Sequence, residues 1–286
     1  MKTVIITGAS NGMGYEAAKV FASKGWKVFA GARRVEKIPT DPNIIAMKLD
    51  VTDSSSNHTF IEEVLKQSHQ IDILINNAGY GEFGPAEEIP MENIRKQFET
   101  NFFGAVELTQ LVLPTMRAQK SGRIINISSI GGDLYTPLGS YYHATKAAIQ
   151  QWSDALDAEI IDFGVRSIIV QPGGTASSWS EIAMANASKN LKKDSAYQPL
   201  VDRVQKALSG AGTAVSATSL DLANLFYKAA TDSKPKLRYF NAFGDRAAVH
   251  IARAHPRLFR KLSTFMLNRA TKKQMINNFI IYKTRG

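Results

Sequence analysis

Two tyrosines stand side by side in the stretch SYYHATK, residues 140–146, four and five positions before Lys146. A phenol titrates near pH ~10, and a neighbouring ammonium favours phenolate and lowers that value by about 1–3 units. A tyrosine perturbed in this way can exchange a proton near neutral pH, as a general acid or base must. At 100° per residue, a side chain four positions along a helix lies about 40° around the axis, and one five positions along lies about 140° around. Tyr142 therefore shares a face with Lys146, and Tyr141 does not. A packed tyrosine beside a lysine whose stem follows the helix would account for the pair taken alone. Its surroundings favour chemistry. NISSIGG ends the preceding strand-like run, so Ser129, thirteen residues before Tyr142, leaves a strand's carboxyl end, where it can hydrogen-bond a substrate oxygen. Ser128 faces the other way by strand alternation and reads as structural.

The elements that must position these groups are legible as alternating patterns. TVIIT (3–7), KVFAGA (27–32), IIAMKL (44–49), IDILIN (71–76), GRIINIS (122–128) and VRSIIVQ (165–171) are short, β-branched and apolar at their centres, as strands buried on both faces are. Helix-period segments lie between them near 12–24, 56–68, 92–118 and 140–163. This alternation predicts an α/β fold: a Rossmann-like, doubly wound parallel sheet of about seven strands in a single domain. Residues 174–217 are rich in Ala, Ser, Lys and Gly with weak periodicity, and are expected to form a mobile flap beside the site. Met184, Tyr197, Leu200, Trp179 and Leu208 could line an apolar pocket or simply pack that flap. A helix near 218–231 and a strand at 237–240 complete a catalytic domain over residues 1–245, leaving a basic helical tail, 246–286, packed on it.

Where the first strand meets the first helix, TGASNGMG carries Gly8, Gly12 and Gly14 in a G-x-x-x-G-x-G spacing. Glycine suits a turn whose backbone must reach φ > 0 or approach a pyrophosphate closely, and the helix N-terminus adds amide donors and a positive dipole. Ser10, Asn11 and Met13 belong to the same candidate dinucleotide contact. The end of the second strand decides between two dinucleotides, because an acidic side chain there accepts from a ribose 2′-hydroxyl and repels a 2′-phosphate. This chain has GARR, with Ala32 where the acid would stand, then Arg33 and Arg34; the expectation is NADP(H) over NAD(H). In LDVTD, Asp50 is placed to accept from an adenine amino group, with Val51 against the ring.

Composition narrows the alternatives. The 286 residues hold no cysteine, which excludes disulfides and thiolate metal sites and fits a reducing, cytoplasmic setting. His58, His69, His143, His250 and His255 have no metal-ligand spacing, so no metal is expected. The N-terminal apolar run is too short for a signal-peptide core, and no stretch approaches the ~18 apolar residues of a spanning helix. The net charge of +10 resides in the tail: residues 246–286 hold ten Lys or Arg and no Asp or Glu, leaving 25 basic against 25 acidic residues elsewhere. Leu258, Phe259, Leu262, Phe265 and Met266 form one helical face there, with Arg257, Arg260, Lys261 and Arg269 largely elsewhere. A surface helix packing on the domain or on a partner subunit is the first reading, and peripheral contact with anionic lipid the second. No nucleic-acid-binding module surrounds these charges.

Taken together, TGASNGMG, NNAG (76–79), Asn101 in FETNFFG, ISS with Ser129, YHATK from Tyr142 to Lys146, and PGG (172–174) resemble the short-chain dehydrogenase/reductase family in its ~250-residue branch, in family order and spacing across residues 3–177. The resemblance implies that Tyr142 is the general acid in carbonyl reduction and the general base in alcohol oxidation. It implies that Lys146 holds the nicotinamide ribose and lowers the tyrosine pKa, Ser129 polarises the substrate oxygen, and Asn101 anchors a water in a proton relay. It also lays Asn77, Ala78 and Gly79 along the cofactor, with Pro172, Gly173 and either Thr175 or Ser177 at its carboxamide. Asn11 departs from the family in standing where many NADP-using members carry a basic residue. LRYFNAFGD with its helical tail resembles members acting on retinoids, hydroxysteroids and similar carbonyls, which implies a lipophilic substrate. The family is usually dimeric or tetrameric, so a homodimer or homotetramer is implied. The expectation is a cytoplasmic NADPH-dependent carbonyl reductase or alcohol dehydrogenase, its rival a non-catalytic NADP(H)-sensing binding protein with a membrane-peripheral tail.

Overall fold

The computed structural model describes residues 1–176, 179–210 and 217–265. The apolar runs form β1 (Thr3–Thr7), β2 (Lys27–Ala32), β3 (Ile44–Lys48), β4 (Ile73–Asn76), β5 (Gly122–Ile127) and β6 (Val165–Gln171). A short parallel pair follows, β7 (Thr175–Ala176) with β8 (Ala217–Thr218), and then β9 (Arg238–Phe240). The main sheet has seven strands in the order β3-β2-β1-β4-β5-β6-β9, all parallel. Successive residues of each strand point to opposite faces, so both faces must be apolar if both are covered. Val4, Ile6, Ile73 and Ile75 enter one core, while Ile5, Leu74 and Ile124 enter the other.

The first core lies under α1 (Gly12–Ser23), and α2 (Ser54–Gln67) covers part of the second. Next come α3 (Met91–Phe98) and α4 (Gly104–Gln119), joined without a break by a π-helical turn, Glu99–Phe103. The expected helix over 92–118 is thus present, with a wider turn inside it that contains Asn101. The helix α5 (Ser140–Ile160) closes the second face. Strand order reverses between β1 and β4, which places a crevice at their carboxyl ends, the usual ligand position in an open α/β sheet.

Two segments differ from expectation. The stretch expected as a mobile flap of weak periodicity contains two regular helices, α6 (Trp179–Lys189) and α7 (Gln198–Gly210). The buried face of α6 is carried by Ala183 and Ala187, one turn apart, and such a small-residue stripe is a weak hydrophobic signal although alanine is the best helix former. Met184, Leu191 and Leu200 pack with Phe83, Leu138, Tyr142, Val201 and Val204, so this segment lies against the tyrosine. The side chains of Trp179 and Leu208 lie outside the described residues.

After α8 (Ser219–Thr231), which packs against α1, α9 (Phe243–Ala254) begins the tail. His255, pushed out of the helical region before Pro256, breaks the chain direction, and a further helix runs over 256–265. Among the described residues of the apolar face read for this helix, Phe259 alone turns inward, its ring edge-on to Tyr135 at 5.2 Å, while Leu258, Leu262 and Phe265 are exposed. Met266 and Arg269 lie outside the described residues.

Candidate active site

The adjacent tyrosines part as helical phase requires. Tyr141 faces outward and donates its hydroxyl to the Ala86 carbonyl at 3.0 Å. Tyr142 is buried, packs against Phe83 with ring centroids 5.7 Å apart, and hydrogen-bonds Ser129. Ser129 leaves β5 in extended conformation, and its Oγ accepts from the Gly131 amide at 3.0 Å. Ser128 points the other way and donates to the Lys146 carbonyl at 2.9 Å, tying strand to helix.

Lys146 is buried on the same face of α5, and its ammonium donates to the Ile127 carbonyl at 2.8 Å. Burial alone pulls its pKa down to about 8, because the charged form loses hydration. The phenol does not follow the expected direction. Burial pushes Tyr142 up to about 12, and the hydrogen bond from Ser129 offsets only part of that rise. Sharing a helical face with a cation therefore does not suffice to depress the phenol when the whole pair is desolvated.

Asn101, on the π-turn, spends its amide on protein partners. Its Oδ1 accepts from the Tyr80 amide at 3.0 Å, while Nδ2 donates to the Tyr80 carbonyl at 2.9 Å and to Thr145 Oγ1 at 3.0 Å. It clamps the loop after β4 to α5 one residue before Lys146. A relay water would have to meet some atom other than this amide.

Gly8, Ser10, Asn11, Gly12, Met13 and Gly14 form the turn from β1 into α1. Asn11, noted above for standing where a basic residue is common, caps α1 by accepting from the Gly12 amide at 2.8 Å. Met13 packs into the first core. Gly12 has φ +56 and open space where a Cβ would project; a Cβ on Gly14 would come within 2.5 Å of both the Gly8 carbonyl oxygen and Asn77 Nδ2. Thr7 Oγ1 receives the amides of Asn77 and Ala78 at 3.0 and 2.9 Å, and Asn77 Nδ2 donates to the Thr7 carbonyl at 2.9 Å. Asn77 Oδ1 is buried without a hydrogen-bond partner. A Cβ on Gly79 would lie 3.2 Å from Asn101 Oδ1 and 3.5 Å from Lys146 Nζ, so NNAG runs from the glycine turn to Lys146.

The remaining candidates border the same edge. Arg33 and Arg34 are exposed after β2, and the charge of Arg33 reaches Tyr80, whose phenol is held up at about 12 by burial, then by Glu82. Asp50 Oδ1 accepts from the Thr52 amide and hydroxyl at 3.1 and 2.8 Å, and Val51 is buried beneath Gly104. Pro172 follows β6, Gly173 donates its amide to Asn241 Oδ1 at 2.9 Å, and Thr175 Oγ1 donates to the Gly173 carbonyl at 3.2 Å. Ser177 lies outside the described residues. Amide donors at the open glycine turn of a helix N-terminus, an unpartnered amide oxygen beside it as acceptor, and a buried lysine ammonium at the far end of NNAG as donor fit a dinucleotide.

Sequence reading missed the polar side chains behind Ser129: Gln150, Gln171, Arg238 and Arg253. A signal existed for one, since Gln150 stands a turn beyond Lys146 on the face already singled out.

Comparisons with known proteins agree with this geometry. A family description, short chain dehydrogenase, matches residues 2–188. A probable short-chain type dehydrogenase/reductase, VdlC, from Helicobacter pylori is 35% identical over 209 residues, 72% of this chain and 76% of the relative. An NADPH-dependent 3-dehydrocapnine reductase from Ornithobacterium rhinotracheale is 31% identical over 254 residues, 84% of this chain and 87% of the relative. The crystal structure of a short-chain dehydrogenase from Streptomyces avermitilis superposes with a TM-score of 0.76 at 30% identity, covering 92% of this chain and 98% of that one. The chain belongs to the short-chain dehydrogenase family of oxidoreductases.

Proposed function

We propose that this chain interconverts a carbonyl and a secondary alcohol with NADP(H), Tyr142 moving the proton. The observation that carries this reading is a buried phenol, bonded to Ser129 and one helical turn from a buried lysine, at the carboxyl edge of the sheet. Bound nicotinamide would supply or accept the hydride. Gly8, Gly12, Gly14 and the amides opening α1 would hold its pyrophosphate, Asp50 and Val51 its adenine, and Lys146 a ribose hydroxyl. Asn77, Ala78, Gly79, Pro172, Gly173 and Thr175 would line its path.

Ser129 Oγ donates to the substrate oxygen and orients it toward the phenol. As charge builds on that oxygen, Tyr142 gives up its proton. A phenol near 12 is protonated at neutral pH, yet it is a far stronger acid than the alcohol formed when an alkoxide takes its proton. The chain is thus loaded for reduction; oxidation needs the phenolate, which a charged Lys146 favours.

NADP(H) is supported by Arg33 and Arg34 where a carboxylate would exclude it, and by the name of the Ornithobacterium relative. A lipophilic substrate is supported by Phe83, Leu138, Met184 and Leu200 around the tyrosine. Exposed Phe103, Ile161 and Phe163 on the α4 and α5 side support a homo-oligomer, to be read by light scattering.

NADPH consumption with a panel of ketones and aldehydes tests the reading. Tyr142→Phe should lower kcat by ~10²–10⁴-fold, and Tyr141→Phe should leave it near wild type; the reverse pattern would assign the wrong phenol. A lipid-surface role for the tail has one specific observation, Leu258, Leu262 and Phe265 exposed among Arg257, Arg260 and Lys261. Flotation with phosphatidylserine vesicles should then be lost when these three apolar residues become Asn; no flotation of wild type removes it.

A further inference from the structure

We infer that Arg238 of β9 and Arg253 of α9 are positioning residues for Ser129, which makes the start of the C-terminal tail a working part of the active centre. Two buried glutamine amides stand between these arginines and the serine. Gln150 Oε1 accepts from Arg238 at 2.9 Å and from Arg253 at 3.3 Å, while its Nε2 donates to Ser128 Oγ and to the Ser129 carbonyl, both at 3.0 Å. Gln171 Oε1 accepts from Arg238 at 3.2 Å, while its Nε2 donates to Asp133 Oδ2 at 2.6 Å and to the Ser129 carbonyl at 3.4 Å. A guanidinium can only donate. Each glutamine must therefore turn its oxygen toward the arginines, which turns its NH2 toward Ser129. The cations fix the amides, and the amides fix the serine backbone.

The charges are balanced so that both guanidiniums can crowd one acceptor. Arg238 pairs with Asp154 and Arg253 with Asp133, whose side chain is only 4% exposed. Surface ion pairs alone contribute little, but here the Asp133 carboxylate is buried together with Gln150, Gln171 and Ser128, while Asp154 is partly exposed. Ser129 must reach Tyr142 and a substrate oxygen at once, and catalytic groups tolerate displacements of only about 0.5 Å.

This inference rests on the proposed role of Ser129, and one experiment separates the two. Rates of NADPH oxidation with a reducible ketone are measured at enzyme excess, so that slow variants read as single turnovers. Arg253→Ala, Arg253→Lys and Asp133→Asn are compared in wild-type and Ser129→Ala backgrounds, with NADPH affinity read from its fluorescence. Arg253→Ala is expected to slow wild type about 10-fold and the Ser129→Ala chain by less than about twofold, with NADPH affinity unchanged and Lys restoring part of the rate. An equal loss in both backgrounds, or none in wild type, overturns the inference. If Arg253→Ala does not fold, Asp133→Asn runs the same cycle to the same criterion. Full activity of Tyr142→Phe would instead sink the underlying reading.

Discussion

The glycine turn after β1 and the serine loop after β5 leave the same edge of one sheet, but they are held in opposite ways. The turn is fixed chiefly by close backbone approach, Gly12 at φ +56 and Gly14 pressed on Gly8, with the side chains of Thr7 and Asn77 joining it to the strand next door. The loop is fixed by side chains from distant elements. Asp133 meets Arg253 across 120 positions of sequence, and His143 of α5 spans the loop from within. A site held by backbone has little room to yield, whereas one held by several side chains should lose function by degrees.

Gly14→Ala should have the largest effect on this contrast. Overpacking of this kind costs roughly 1–3 kcal/mol, and relieving it means moving the turn; NADPH affinity should fall by ~100-fold or the chain should fail to fold. Wild-type affinity would show that the turn adapts as freely as the loop.

Lys146→Met should abolish turnover while raising Tm at neutral pH, because it removes a buried cation. Folding pulls Lys146 from 10.5 to about 8, so the unfolded chain binds more protons between those values and wild-type stability rises with pH there. The Tm advantage of the Met variant should accordingly shrink as pH climbs from 8 to 10. A constant advantage would mean that the ammonium is not desolvated.

Arg33→Ala should weaken NADPH by about 10-fold and leave NADH nearly unchanged, as titrations with both would show. Equal weakening would remove the 2′-phosphate argument.

His143→Gln should have the smallest effect. His143 Nδ1 bonds the Gly131 carbonyl at 2.8 Å and Nε2 the Thr136 amide at 3.0 Å, an arrangement met by one neutral tautomer. Burial holds its pKa below 6.5, so the unfolded chain takes up the proton first as pH falls, and stability is lost below about 6.5. The Gln variant should lack that acid-side loss and show only about a twofold rise in KM. Identical acid profiles would take His143 out of the loop's support.

These differences also explain what could be read in advance. The sheet was legible because β-branched runs such as Ile5–Ile6 and Ile124–Ile125 must be buried on both faces. The phase of Tyr142 and Lys146 follows from helix geometry alone, and the glycine turn from local spacing. The ionisation of that pair was not legible, since desolvation depends on what covers it, here Phe83 and the small-residue stripe of α6. Arg253, counted in the sequence with the basic tail, is spent on Asp133, and no local pattern joins two residues so far apart.

The π-turn at Glu99–Phe103 holds one residue more than an ordinary turn, and each residue rotates all that follows by about 100°. That rotation sets which side of α4 meets the segment after β3, where Gly104 is pressed onto Val51 and any Cβ would collide with its carbonyl. Shortening the turn by a single codon would swing Ala105 into that gap, where even its Cβ has no room, and carry Asn101 off its mark. Length, more than composition, is what this stretch of the gene can least afford to change.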